Sequence, residues 1–152
     1  METITMTKLI FTLALFALSV NAIAKDCKPS HSNTLGDNWK YGATHKVDVG
    51  EGLLMSGRIL SARDCKPIAN ARIEHWQSSP DGEYRDKHRA YMFSDKNGAY
   101  KFNTVWPGLR HIHFIVSAEG HEDLSTHWRW KKYDSTTDKT EFDIVLSPLP
   151  QQ

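Results

Sequence analysis

Apolar positions along the chain fall into three regimes. Near the start, after Lys8, an apolar run covers residues 9–20 and is interrupted only by Thr12 and Ser19. The stretch 25–49 is polar and irregular, punctuated by Gly36, Asp37, Asn38 and Gly42. From Leu53 onward the apolar residues recur in short runs between turn residues, with no stripe of helical period. These runs predict strands over 54–61, 71–77, 91–94, 99–104, 111–118, 125–130 and 140–146. Turn chemistry separates them, most clearly in Ser78-Ser79-Pro80-Asp81-Gly82 and in the tight hairpin turn Asp95-Lys96-Asn97-Gly98. Within 71–77, alternation sets Ala71, Ile73 and His75 on one face and Arg72, Glu74 and Trp76 on the other. The segment 84–91 shows no clear period, and a short uncapped helix is one reading of it. Short strands spaced by about 8–12 residues point to an all-β sandwich or barrel.

The opening run is about 12 residues long, whereas a transmembrane helix needs roughly 20. It leads into Ala22-Ile23-Ala24, the small-x-small pattern that signal peptidase accepts. The expected organisation is a cleaved Sec-type signal peptide over 1–24, an irregular N-terminal arm over 25–52 and a β-sandwich over 53–148. The expected location is periplasmic or secreted, with no membrane attachment after cleavage. Lys25 and Asp26, rather than small residues, precede Cys27, which argues against a lipid anchor. Net charge is +1, with 19 Lys and Arg interspersed among 18 Asp and Glu, so no basic stripe suggests nucleic acid. Cys27 and Cys65 are the only cysteines. In an oxidising compartment a pair suggests one disulfide; unpaired buried thiols are the alternative, and finger-type zinc spacing is absent.

The sharpest chemical signal is His111-Ile112-His113-Phe114. Strand side chains alternate, so two imidazoles at i and i+2 share a face and are able to hold one metal ion while Ile112 and Phe114 enter the core. A lone strand histidine is usually structural, but two buried, unsatisfied imidazoles side by side would be costly. Tyr84, after the Gly82 turn, would not stand out alone.

Together these stretches resemble the intradiol ring-cleavage dioxygenases, notably the short secreted members. The resemblance is carried by Gly57-Arg58-Ile59, Cys65-Lys66-Pro67-Ile68-Ala69-Asn70-Ala71, Ile73-Glu74-His75-Trp76-Gln77 and Gly82-Glu83-Tyr84. It continues through Ser94-Asp95-Lys96-Asn97-Gly98-Ala99-Tyr100-Lys101-Phe102, Pro107-Gly108, the histidine pair and Leu124-Ser125-Thr126. It implies an antiparallel β-sandwich holding non-haem Fe(III), with Tyr84, His111 and His113 as ligands, and a catechol-type aromatic diol and dioxygen as substrates. The family's second tyrosine ligand lies between the Pro-Gly turn and the histidines. Here that interval is only Leu109-Arg110, so the position is deleted or falls on Trp106, whose indole offers no lone pair to a metal. Arg110 occupies about the place of a family arginine expected to stabilise developing negative charge. His127 replaces a family glutamine and is an additional candidate ligand.

Hard phenolate oxygens suit Fe(III), so losing one weakens the case for iron and removes a base for deprotonating the diol. The resemblance therefore leaves two readings: a ring-cleaving enzyme, or a non-catalytic sandwich holding copper or zinc or another ligand. A purely structural sandwich would make the histidine pair a coincidence. His75 is expected packed at the sheet surface and His88 in a polar loop from which it could reach the site, but for both, as for His31, His45 and His121, a solvated or capping role is the favoured reading. The arm has no counterpart to the N-terminal helices through which family members assemble, so a monomer or small homo-oligomer is expected.

Overall fold

The computed structural model describes residues 27–36, 38–130 and 138–150. The expected signal peptide lies outside the described residues. Among those residues the regular structure is strand: β1 (Thr44–His45), β2 (Leu53–Ser61), β3 (Arg72–Ser78), β4 (Tyr84–Phe93), β5 (Ala99–Thr104), β6 (His111–Ser117), β7 (Leu124–Arg129), β8 (Lys139–Glu141) and β9 (Ile144–Leu146). No helix among them is long and apolar enough to cross a membrane.

The strands form a sandwich. One sheet runs β1-β4-β3-β6-β7 and the other β5-β2-β8, with β9 also pairing β2. The main ladders are antiparallel, as the alternating patterns require, while the short strands β1, β8 and β9 join in parallel. The inward faces interdigitate through Met55, Ile59, Ile73, Met92, Phe102, Ile112, Phe114, Val116 and Ile144, all buried. At about 25 cal/mol per Å² of apolar surface, burial of this kind is the dominant favourable term.

Three local outcomes differ from the pattern-based expectation. The segment 84–93 is one long strand, not a helix or loop leading into a short strand, because it pairs along β3 from Phe93 back to Tyr84. The single strand expected over 140–146 is split in two, since the chain crosses β2 at Gly57, where a Cβ would lie 2.1 Å from the Phe142 carbonyl oxygen. His75 is fully buried in the core, not at the surface, and stacks on Phe102 at 3.9 Å between ring centroids. Its face was read correctly, but that face is the inner one.

The N-terminal arm is tied down along its length. Cys27 and Cys65 form a disulfide, with 5.5 Å between their Cα atoms. Ser30 exchanges two hydrogen bonds with Val145, Asn33 N donates to Ser125 O at 2.7 Å, and Thr126 Oγ1 donates to His31 O at 2.8 Å. Further on, Arg89 donates to the Asn38 and Lys40 carbonyls, so the arm crosses the outer face of the five-stranded sheet.

Candidate metal centre

β6 sets its fully buried apolar side chains on one side. Ile112, Phe114 and Val116 enter the core, which turns His111 and His113 outward. Directly opposite His113 on β3 stands Trp76, whose ring stacks on the imidazole at 4.8 Å and 5°.

Tyr84 reaches the same face by a change of register. Strict alternation along β4 would place it with the inward residues His88, Ala90 and Met92. Between Trp76 and Ser78, however, the β3–β4 pairing shifts, so that Trp76 faces Arg89 while Ser78 faces Tyr84. The shift turns the phenol outward.

The turn preceding Tyr84 is locked onto the segment preceding His111. Gly108 N donates to Ser79 O and Leu109 N to Ser78 Oγ, both at 3.1 Å. Only glycine fits at position 108, since a Cβ there would lie 2.5 Å from the Pro80 carbonyl oxygen.

The outcome is a convergent trio. Tyr84 Oη lies 3.2 Å from His111 Nε2 and 3.1 Å from His113 Nε2, and the two nitrogens are 2.9 Å apart. Donors about 2.1 Å from one ion and at right angles to each other are roughly 3 Å apart, so the spacing suits a shared metal. Proton counting points the same way. His111 Nδ1 donates to the Leu109 carbonyl at 2.7 Å, which leaves Nε2 of the neutral ring as a bare lone pair. The phenol brings one proton and His113 Nε2 at most one, so three contacts share at most two protons. A cation between the atoms satisfies every lone pair at once. No group of three or more His, Cys, Asp or Glu side chains converges elsewhere among the described residues; here the third donor is a phenol.

Burial sets the protonation states. It lowers the pKa of His111, and pulls that of His113 down to about 4 with help from the charges of His111 and its neighbours. Both imidazoles are therefore neutral and able to ligate at neutral pH. Burial raises the Tyr84 phenol, so ionisation there needs a compensating positive charge of the kind a bound cation supplies.

The remaining sequence candidates are distributed around this trio. His127 sits directly across from His113 on β7, with ring centroids 5.8 Å from His111 and 6.1 Å from His113. Its Nε2 accepts a 2.6 Å hydrogen bond from Arg129 Nε, so in the neutral ring Nδ1 carries the proton and no lone pair is free to ligate. Arg110 has a left-handed backbone (φ 67°), and its guanidinium lies over the Trp130 ring at 5.3 Å. The cation felt by His111, His113 and His127 is instead Arg129, opposite His111 on β7. Sequence reading missed Arg129; its i+2 spacing from His127 was the available signal.

Trp106 packs against Trp128 and Trp130 and supplies no phenol. His88, expected in a polar loop in a solvated or capping role, is instead buried on β4, with Nδ1 bonded to Val49 O. A larger hollow of about 550 Å³ lies against the other sheet beside Gly57 and Tyr100, away from the trio, and the Tyr100 hydroxyl there already donates to Phe142 O.

Comparison with known proteins agrees with the fold described above. The profile of a family described as Dioxygenase matches residues 30–110, more than half of the chain, and ends at the residue before His111. Hydroxyquinol 1,2-dioxygenase of Rhodococcus opacus is 30% identical over 124 residues, covering 62% of this chain and 39% of that protein. Catechol 1,2-dioxygenase of Acinetobacter baylyi is 30% identical over 110 residues, covering 51% and 35%. The chain thus spans well under half the length of these curated relatives. Among solved structures, the dioxygenase domain of a dioxygenase–carbohydrate-binding fusion from a cellulolytic Streptomyces superposes with a TM-score of 0.72 at 22% identity, over 80% of this chain and 99% of that one. Hydroxyquinol 1,2-dioxygenase from Pseudomonas putida superposes with a TM-score of 0.68 at 16% identity, over 82% and 68%. The chain belongs to the intradiol ring-cleavage dioxygenase family, and its all-β sandwich is the fold of that family.

Proposed function

We propose that this protein is an exported, iron-dependent dioxygenase that opens the ring of a catechol-type aromatic between its two hydroxyl-bearing carbons. The observation that carries the reading is the meeting of Tyr84 Oη with the Nε2 atoms of His111 and His113 within 3.2 Å. Bound there, Fe(III) would supply a Lewis-acidic, redox-active centre able to take both oxygens of the diol. The protein's own part is positional and electrostatic. The Leu109 carbonyl fixes the tautomer of His111, Trp76 holds the ring of His113, and burial keeps both imidazoles neutral. Tyr84, once deprotonated, would supply the anionic ligand. Among the described residues no second phenol stands beside the trio, so the diol proton would leave to solvent. The N-terminal pattern of Lys8, apolar run and Ala22-Ile23-Ala24 supports export to the periplasm or beyond.

One feature favours a second reading, a non-catalytic sandwich holding copper or zinc: two neutral imidazoles and a single phenol make a poorer set for Fe(III) than for a softer divalent ion. Metal analysis and a visible spectrum of the purified protein separate the two. The first reading expects bound iron, a phenolate-to-iron absorption band and oxygen uptake with catechol. Tyr84→Phe should abolish the band and cut oxygen uptake by roughly 100-fold or more. Zinc or copper with no such band and no oxygen uptake defeats it.

A further inference from the structure

Three side chains stand in register across the outer face of the five-stranded sheet: Arg89 on β4, Trp76 on β3 and His113 on β6. Neighbouring strands lie about 4.8 Å apart, and Trp76 and His113 use that spacing for a nearly parallel stack. β4 flanks β3 on the side away from β6. From there the Arg89 guanidinium carbon lies 5.3 Å from the centroid of the same indole. Trp76 is therefore held between a cation and an imidazole of the trio.

Arg89 is buried, and a buried charge is unfavourable unless it is paired and hydrogen-bonded. Its Nη2 donates to Asn38 O at 2.6 Å and its Nη1 to Lys40 O at 3.2 Å. Nη1 also lies 3.7 Å from Oε1 of Glu74, a buried carboxylate whose Oε2 is held by Arg72 at 3.1 Å. The guanidinium is thus fixed by the arm and by β3, and a cation fixed over an indole restrains it. The two histidines differ in what orients them. His111 is aligned through its other nitrogen, by the Leu109 carbonyl, as metal-binding imidazoles commonly are. Among the described residues His113 Nδ1 has no such hydrogen bond, and the contact that sets its ring plane is the stack on Trp76.

We infer that Arg89 is a positioning residue of the candidate metal centre: its buried guanidinium clamps Trp76 against His113 and so fixes the direction in which His113 Nε2 faces Tyr84 and His111. The inference rests on the reading of the trio as a metal site and names the support that shapes it. It also gives the arm a part in that support, because the guanidinium that holds the indole is itself held by the Asn38 and Lys40 carbonyls. A tilt of the His113 ring changes its 3.1 Å and 2.9 Å approaches to the other two donor atoms together, so loss of the clamp is read at the metal.

The test is a double-variant cycle on the full protein. It is read by cobalt(II) affinity and by the ring C–H resonances of metal-free His113, assigned with His113→Gln, which a stacked indole shifts upfield. Arg89→Gln keeps a donor for the arm carbonyls and removes the cation. It is expected to weaken cobalt binding about 10-fold and to reduce the upfield shift. Trp76→Leu should abolish the shift and weaken binding by a similar factor, and adding Arg89→Gln to it should cost nothing more, since the two act in series. Thr126→Val, which releases the arm at His31 and leaves the stack alone, should hold affinity within about twofold. Additive losses in the cycle, unmoved His113 resonances in Arg89→Gln, or an equal loss with Thr126→Val overturn the inference. Should Arg89→Gln or Trp76→Leu fail to fold, Arg89→Lys decides, because it keeps the charge without the planar fork. Affinity and upfield shift then fall together, by about threefold in affinity, and any other result overturns the inference. Failure of the trio reads differently: no form binds cobalt, yet the His113 resonances still move with Arg89→Gln.

Discussion

His75 and His113 stand on neighbouring strands of one sheet, and comparing them separates what burial does from what convergence does. Both are buried and both have a depressed pKa, His75 near 3 and His113 near 4, with desolvation as the leading cause in each case. His75 points inward, stacks on Phe102 and has no hydrogen-bond partner on either ring nitrogen. His113 points outward, stacks on Trp76 and meets a phenol oxygen and a second imidazole nitrogen. Burial alone makes an imidazole neutral. Only the second arrangement aims the resulting lone pair at a point where other lone pairs gather, and that separates a candidate ligand from a core residue.

The comparison is open to attack from three directions. The largest effect is expected at His113. Replacing it with Ala should lower metal affinity by well over 100-fold, because even outer-shell partners of metal ligands are worth about 10–100-fold; metal titration of the variant checks this, and unchanged affinity would remove His113 from the site. The next is a slope. Between about pH 6.5 and about 3 the unfolded chain binds a proton at His75 that the folded chain refuses, so stability rises with pH across that window and is lost as pH falls. One such proton is worth about 1.4 kcal/mol per pH unit. His75→Leu should flatten the acid side of a melting-temperature profile accordingly, and an unaltered slope would show that His75 is not held neutral. The smallest concerns the arm above His113. Gly36 has a left-handed φ of 73°, and a Cβ there would sit 3.4 Å from His113 Cε1. Gly36→Ala should cost about 1 kcal/mol in denaturant unfolding, and an outcome near zero would mean that residue 36 is not held in the left-handed region.

The histidine pair was legible because its signal is local: an i, i+2 spacing inside an apolar strand fixes both the face and the neighbourhood. The Cys27–Cys65 bond followed from there being two cysteines and an inferred oxidising compartment. The partnership with Tyr84 came from family resemblance, since nothing in periodicity brings a residue 27 positions away to His111. Other features were hidden for physical reasons. The 84–93 strand alternates poorly because its first half, which is largely exposed, faces the arm and solvent. Whether His75 lies in the core or on the surface depends on which side the second sheet covers, and that is tertiary information. Arg129 acquires its role only through the β6–β7 register.

The offset in pairing between Trp76 and Ser78 has a consequence for how such a centre is built or lost over evolutionary change. Which side of the sandwich the phenol emerges on is a matter of parity, decided by the number of residues in the bend between Tyr84 and Arg89 and not by the identity of any one of them. In this architecture an insertion or deletion of one residue in that bend is equivalent to deleting a ligand, although every residue type needed for the chemistry would still be present in the sequence.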